Sequence, residues 1–449
     1  MTVSIRAVLT IFASTVLTTS IILPTIADAQ ETEPGTELYL DPGQGNWEQG
    51  SEAYCGLDLS KLQDDDIDKY AIFRHGKLCY QKGNNFGGPM FSGTKTLGAV
   101  MLGRAAYLTR NIPRTGHATG TISHDDRALD WLDHVSFHPD ATLSHVMSMV
   151  AHDENRFAQP PEPVSDNLVM NYGDWDYDTV GAVQINELLD VTYQAVRQTR
   201  WWRADPWSFV EDEIFDEMGM DDSNFDAVPT GLASGWWSDL HDMGKLGTLL
   251  LHDGWYGGKR LLSREWVYRM SHPAFENANT GYGHLTWLNH RGNSDGTGGT
   301  GDDPDAGEDI RKYKGDSCAP AAVWPASSFP HGLSEANNCN AYCEDDLYPA
   351  ECMVAACAQD DDKDVGVFAA QGLNGQYIVM HPGLDMVIVA RHFNPDPNNP
   401  DFHGMAELWK AVRPALTAIN DDFGGDEAAF CEAYGAGTYA PDLPMPRHL

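Results

Sequence analysis

Gly88-Pro-Met-Phe-Ser92-Gly-Thr-Lys95-Thr-Leu-Gly-Ala-Val-Met-Leu-Gly-Arg-Ala-Ala106 reads as a turn running into an apolar helix, and it holds the single Ser-x-x-Lys of the chain. Residues three apart share a helix face, so the Lys95 amine can reach the Ser92 hydroxyl, while the helix N-terminus favours negative charge developing beside it. A lysine desolvated among Phe91, Leu97 and Met101 has its charged form disfavoured and can serve as a base. Ser92 is therefore a nucleophile candidate. With 22 Ser and 11 Lys among 449 residues, random placement yields roughly 0.5 such matches, so the motif needs company before it carries a function.

Outward from that stretch, Lys69-Tyr-Ala-Ile-Phe-Arg-His75-Gly76-Lys-Leu-Cys-Tyr80 reads as two strands around a His-Gly turn, which opens an antiparallel sheet. On the other side the pattern is mostly helical from Ser92 to about residue 230, with apolar runs at Leu143–Val150 and Thr179–Leu189. Gly235-Trp-Trp-Ser238 leads into a further helix ending at Leu251, after which strand signals return at Tyr282–Leu288, Val365–Ala370, Gln376–Met380 and Asp385–Arg391. A last helix is expected over Asp401–Ile419. The expected fold class is α+β, an antiparallel sheet flanked by terminal helices with an inserted, mostly helical lobe at about 92–230. About 75 residues separate the strand ending near Asn289 from the one beginning at Val365, far more than a hairpin needs, so about 290–364 is an insertion.

Residues 1–29 carry Arg6, an apolar run and the small-x-small site Ala27-Asp28-Ala29, the pattern of a secretory signal peptide. A periplasmic or secreted mature domain spanning 30–449 is the expectation, with no membrane association after cleavage. The formal net charge is −37, from 29 basic and 66 acidic residues, which argues against nucleic acid and anionic membrane surfaces as partners. Eight cysteines in an exported chain point to disulfides. Five of them, Cys318, Cys339, Cys343, Cys352 and Cys357, fall in the insertion, whereas Cys55, Cys79 and Cys431 lie outside it. If all eight pair, at least one bridge must leave the insertion. The acidic runs Asp302-Asp303-Pro-Asp305 and Asp360-Asp361-Asp362 invite a calcium reading, but the full loop signature is absent and a solvated acidic surface is the plainer account.

Two further stretches bear on chemistry. Asn171-Tyr172-Gly-Asp174-Trp-Asp-Tyr177 is a turn feeding an apolar helix, and a tyrosine beside a lysine can move a proton. Phe368-Ala-Ala370-Gln371-Gly372-Leu373-Asn-Gly375 places two glycines three apart at a strand edge, where backbone comes close to a ligand and free N–H groups can face an oxyanion.

In this order the three stretches resemble the penicillin-recognising serine hydrolases, in particular the class C β-lactamase-like branch, which also holds esterases, D-amino-acid peptidases and 6-aminohexanoate-dimer hydrolases. Ser92-x-x-Lys95 corresponds to the family's Ser-x-x-Lys, Tyr172-Gly-Asp174 to its Tyr-x-Asn, and Ala370-Gln371-Gly372 to its Lys/His-x-Gly. The resemblance implies a β-lactamase/transpeptidase-like fold and catalysis by Ser92, Lys95 and Tyr172. It further implies backbone oxyanion donors at Ser92 and Leu373, substrate contacts at Asp174, Gln371 and Gly372, and no metal or organic cofactor.

Two departures shape the expected activity. Ala370 offers no cation for a substrate carboxylate, so β-lactam turnover is not expected; Arg391, in a late strand, is the one substitute to weigh. An ionised Asp174 only accepts hydrogen bonds, which stabilises a charged Lys95 and shifts proton transfer toward Tyr172. The motifs are most like the nylon-oligomer hydrolase and esterase side of the family, and the expected substrate is a small-molecule amide or ester cleaved through an acyl-enzyme. The alternatives are a catalytically inactive ligand-binding relative, a β-lactamase or D-amino-acid peptidase, and an acidic, disulfide-stapled adhesion protein that keeps the lobe as scaffold.

Overall fold

A computed structural model describes residues 40–113, 120–132, 140–151, 185–197, 206–225, 231–271, 282–288, 368–381, 384–393, 408 and 411–417. Its frame is an antiparallel six-stranded sheet of β1 (Tyr70–Arg74), β2 (Lys77–Lys82), β8 (Trp287–Leu288), β9 (Phe368–Gly372), β10 (Gln376–His381) and β11 (Met386–Ala390), in the order β2-β1-β11-β10-β9-β8. The first and the last of the described strands lie side by side within it, where Ile72 pairs with Ile388. Both faces are apolar. Side chains alternate across a strand, so Ala71, Phe73, Ile378, Met380, Val387 and Val389 enter one core, and Tyr70, Ile72, Tyr377, Val379, Met386 and Ile388 enter another with Leu57, Leu408 and Val412. That is why these strands read as continuous apolar runs rather than alternating ones.

The first face is covered by the helix Leu240–Leu251, started by Asp239, whose side chain accepts from the Asp242 N–H. A Cβ at Gly244 would lie 2.5 Å from the Phe73 ring and one at Gly247 would lie 2.5 Å from Val387 Cγ1, so the two glycines let this helix settle directly on the strands. On the second face the Leu408, Ala411 and Val412 side chains pack from the C-terminal segment expected to be helical, most of which lies outside the described residues.

The helix Thr94–Thr109 is buried on all sides from Thr94 to Ala105, as expected of a central helix apolar around its circumference. Gly98 and Gly103 admit Leu232 and the Trp266 indole against its backbone. Around it stand Leu143–Met147, Leu188–Val196, and a run from Pro206–Val210 through the π-helical turn Glu211–Phe215 to Asp216–Met218. In this turn Glu213 is fully buried and takes Arg104 Nη2 at 2.7 Å and Nε at 3.1 Å, which neutralises both charges inside the lobe.

Two smaller sheets were not foreseen: β3 (Gly88–Pro89), β4 (Asn224–Phe225) and β5 (Trp236–Ser238), in the order β3-β5-β4, and the pair β6 (Trp255–Tyr256) and β7 (Lys259–Arg260). The strand expected over Tyr282–Leu288 shrinks to Trp287–Leu288, because Leu285 takes a left-handed φ of +54° and bends the chain back, bridging Tyr282 to Trp287. Cys55 and Cys79 form a disulfide that ties the short helix Glu52–Cys55 to β2. Among the described residues no helix is long and apolar enough to cross a membrane, and no cluster of three or more His, Cys, Asp or Glu could hold a metal ion.

Candidate active site

Ser92 lies in a single 3₁₀ turn, Phe91–Gly93, that feeds the buried helix beginning at Thr94. The turn starts from Phe91 at φ +47°, a sparsely populated conformation for a bulky residue that the surroundings must enforce. Those surroundings are specific. Met90 N–H donates to the Trp236 carbonyl at 2.8 Å, and Trp236 N–H donates back to Thr94 Oγ1 at 3.0 Å, so β5 grips the turn on both sides of Ser92.

Lys95 Nζ donates to Ser92 Oγ at 2.9 Å and to the Ala233 carbonyl at 3.1 Å, and the Lys95 side chain is buried. The carbonyl is itself fixed, since Ala233 N–H donates to Asn186 Oδ1 at 3.3 Å and that oxygen lies against Gly231. Asn186 and Ala233 belong to the site yet carry no motif; only the helix-breaking Gly231 and Gly235 around a short apolar helix mark them in the sequence.

The end of β9 closes the other side of the turn. A Cβ on Gly372 would fall 2.0 Å from the Met90 carbonyl and 3.1 Å from Gly93 N, so only a glycine lets the strand end lie this close to Ser92. Leu373 follows it in the β9–β10 turn with an exposed side chain, and its N–H has no acceptor among the described residues. Gln371 is buried. Ala370, standing at the expected cation position, points into the apolar core. Tyr172 and Asp174 lie outside the described residues, as do the acidic runs of the insertion and all cysteines but Cys55 and Cys79.

Arg391 is not a substrate cation. It is buried, and its guanidinium donates to Gln376 Oε1 at 3.2 Å, the Phe86 carbonyl at 3.1 Å and the Ser238 carbonyl at 3.2 Å. Gly88 exists for it, since a Cβ there would sit 1.9 Å from Nη2. Nearby, burial raises the Asp239 and Asp242 pKa values, Asp242 to about 7 with the Asp239 charge adding to the rise. At the opposite end of the sheet Asp385 accepts from His75 Nδ1 at 2.9 Å and His252 Nε2 at 3.2 Å. Burial pushes its pKa up, but the bonds from His252 and His75 outweigh this and hold the carboxyl well below the usual range.

No protein-family model matches the sequence, and no characterised protein matches it by sequence. Solved structures do resemble the chain. One is a candidate β-lactamase from Bacteroides dorei, 14% identical, aligned over 80% of this chain and 97% of that one with a TM-score of 0.48. Another is a candidate 6-aminohexanoate-dimer hydrolase from Bacillus anthracis, 15% identical over 84% and 88% with a TM-score of 0.44. A third is a family VIII carboxylesterase, 12% identical over 77% and 91% with a TM-score of 0.42.

Proposed function

We propose that this protein is a serine hydrolase that cleaves small amides or esters through an acyl-enzyme on Ser92. The observation carrying this reading is the 2.9 Å contact between the buried Lys95 amine and Ser92 Oγ at the start of a central helix. A hydroxyl is a weak nucleophile unless a base takes its proton as it attacks. A neutral Lys95 keeps an N–H for the Ala233 carbonyl and turns its lone pair to Ser92, so the amine is oriented before substrate arrives.

In the proposed sequence Ser92 Oγ attacks the carbonyl carbon while Lys95 accepts its proton, and the N–H groups of Ser92 and Leu373 stabilise the oxyanion. Tyr172 passes the proton to the leaving amine or alcohol, as the motif resemblance implies. Water then hydrolyses the acyl-enzyme by the reverse proton path. An ionised Asp174 near Lys95 would place more of the acid/base work on Tyr172.

Export fits the same reading, supported by the leader-like residues 1–29 and by the Cys55–Cys79 bridge, since such bonds persist in oxidising compartments. Assay of a panel of p-nitrophenyl esters, linear aminohexanoate oligomers and nitrocefin tests the activity. Turnover of at least one ester or linear amide, lost in Ser92→Ala, is expected, with little or none of nitrocefin because the core-facing Ala370 and the buried, carbonyl-bound Arg391 supply no cation. No turnover of any member would favour a ligand-binding protein, and efficient nitrocefin turnover would reveal a cation elsewhere.

A further inference from the structure

Five large apolar side chains are exposed among the described residues, and three of them sit on the segments that frame Ser92: Phe86 at 76%, Trp237 at 45% and Leu373 at 42%. Their backbones are gathered by one buried group. Arg391 Nη1 holds the Phe86 carbonyl at 3.1 Å and the Ser238 carbonyl, next to Trp237, at 3.2 Å. Arg391 Nε holds Gln376 Oε1 at 3.2 Å, and Gln376 Nε2 in turn donates to the Asn374 carbonyl at 3.0 Å and the Leu373 carbonyl at 3.5 Å.

The same segments lead straight to the nucleophile. Trp237 pairs with Pro89, three residues before Ser92, and a Cβ on Gly87 would lie 2.7 Å from the Trp237 indole nitrogen, so the backbone just after Phe86 runs against the Trp237 ring. Leu373 adjoins Gly372, which packs on the Ser92 turn. Exposed apolar groups on three segments tied to one buried guanidinium, on a chain of net charge −37, mark a binding surface for an apolar group without negative charge, because the surrounding field repels anions.

We propose that Phe86, Trp237 and Leu373 form the seat for an apolar portion of the substrate, so that the preferred esters or amides carry no negative charge and bear an alkyl chain of about four carbons or more, or an aryl ring. This rests on the hydrolase reading and adds the substrate class to it. Trp237 and Phe86 determine specificity without touching the reacting atoms.

The test compares kcat/KM of the wild-type protein, Trp237→Ala and Phe86→Ala on two ester series, one lengthening the acyl group at constant alcohol and one enlarging the alcohol at constant acetate, with fluorophosphonate labelling of Ser92 as control. Both side chains are exposed, so the variants keep the fold. One methylene enclosed in an apolar pocket is worth about tenfold at the lower end, and an open surface covers only part of each methylene of a chain lying on it. The wild type is therefore expected to favour the larger apolar ester in at least one series by about tenfold. Trp237→Ala should erase that preference while turning over the smallest ester within about twofold of wild type. Absence of any size preference, its survival in both variants, or an equal loss on the smallest ester would overturn the proposal while Ser92 still labels. Failure of Ser92 to label in the wild type would instead strike the hydrolase reading.

Discussion

Gly372 presses so closely on the nucleophile turn that a single added methyl would sit 2.0 Å from the carbonyl oxygen of Met90. This contact links the end of the strand that leads to Leu373, the proposed oxyanion donor, to the turn bearing Ser92, so Gly372→Ala must push the two apart. Displacement of about 1 Å in a catalytic arrangement costs on the order of 10²-fold in rate. Gly372→Ala is expected to lower kcat by about that factor while KM for a small ester moves little, measured by steady-state kinetics. Wild-type turnover in this variant would mean that β9 does not help form the site.

Lys95→Ala should remove nearly as much activity as Ser92→Ala, because members of one proton-transfer unit disable the same step and their effects do not add. Tyr172→Phe keeps the ring and loses the proton carrier, so a fall of roughly 10²–10⁴-fold in kcat is expected. The double variant Lys95→Ala/Tyr172→Phe, compared with each single change, distinguishes a shared step from independent roles.

Asp242 should make stability fall with rising pH. Burial and the neighbouring Asp239 charge raise its folded pKa to about 7, above the roughly 3.9 of an unfolded carboxyl. The folded state therefore holds a proton that the unfolded state releases; this contribution is complete below about pH 4 and is lost as pH rises through 7. Thermal unfolding between pH 5 and 8.5 should show a Tm for the wild type that declines up to about pH 7, and Asp242→Asn should flatten the decline across pH 5 to 7. Parallel profiles for the two proteins would contradict the assignment.

With Cys55 and Cys79 joined, Cys431 is left as the one cysteine outside the insertion without an assigned partner. If all eight are oxidised, Cys431 must bridge to one of the five insertion cysteines. Non-reducing peptide mapping should find a peptide containing Cys431 linked to one from residues 318–357. A free thiol at Cys431 would contradict full oxidation.

The sheet was legible in the sequence because its strands are apolar on both faces, and Tyr70–Arg74, Gln376–His381 and Met386–Ala390 stand out as runs of the right length. The Ser92–Lys95 contact was legible because helical spacing alone brings residues three apart together. The β3-β5-β4 sheet was not, since strands of two and three residues are shorter than any periodicity. Nor was the role of Arg391: its place late in a strand argues against a substrate contact, but its structural task depends on carbonyl partners drawn from Phe86 and Ser238, far away in the chain. The Arg104–Glu213 pair was hidden for the same reason, its partners being 109 positions apart.

Ser92 is expected to become covalently acylated during turnover. Intact-protein mass spectrometry after treatment with a fluorophosphonate or a slowly hydrolysed ester measures this directly. One adduct per chain, mapping to the peptide containing Ser92 and absent from Ser92→Ala, is the predicted result. An adduct on another serine, or none while substrate is still being turned over, would contradict the account.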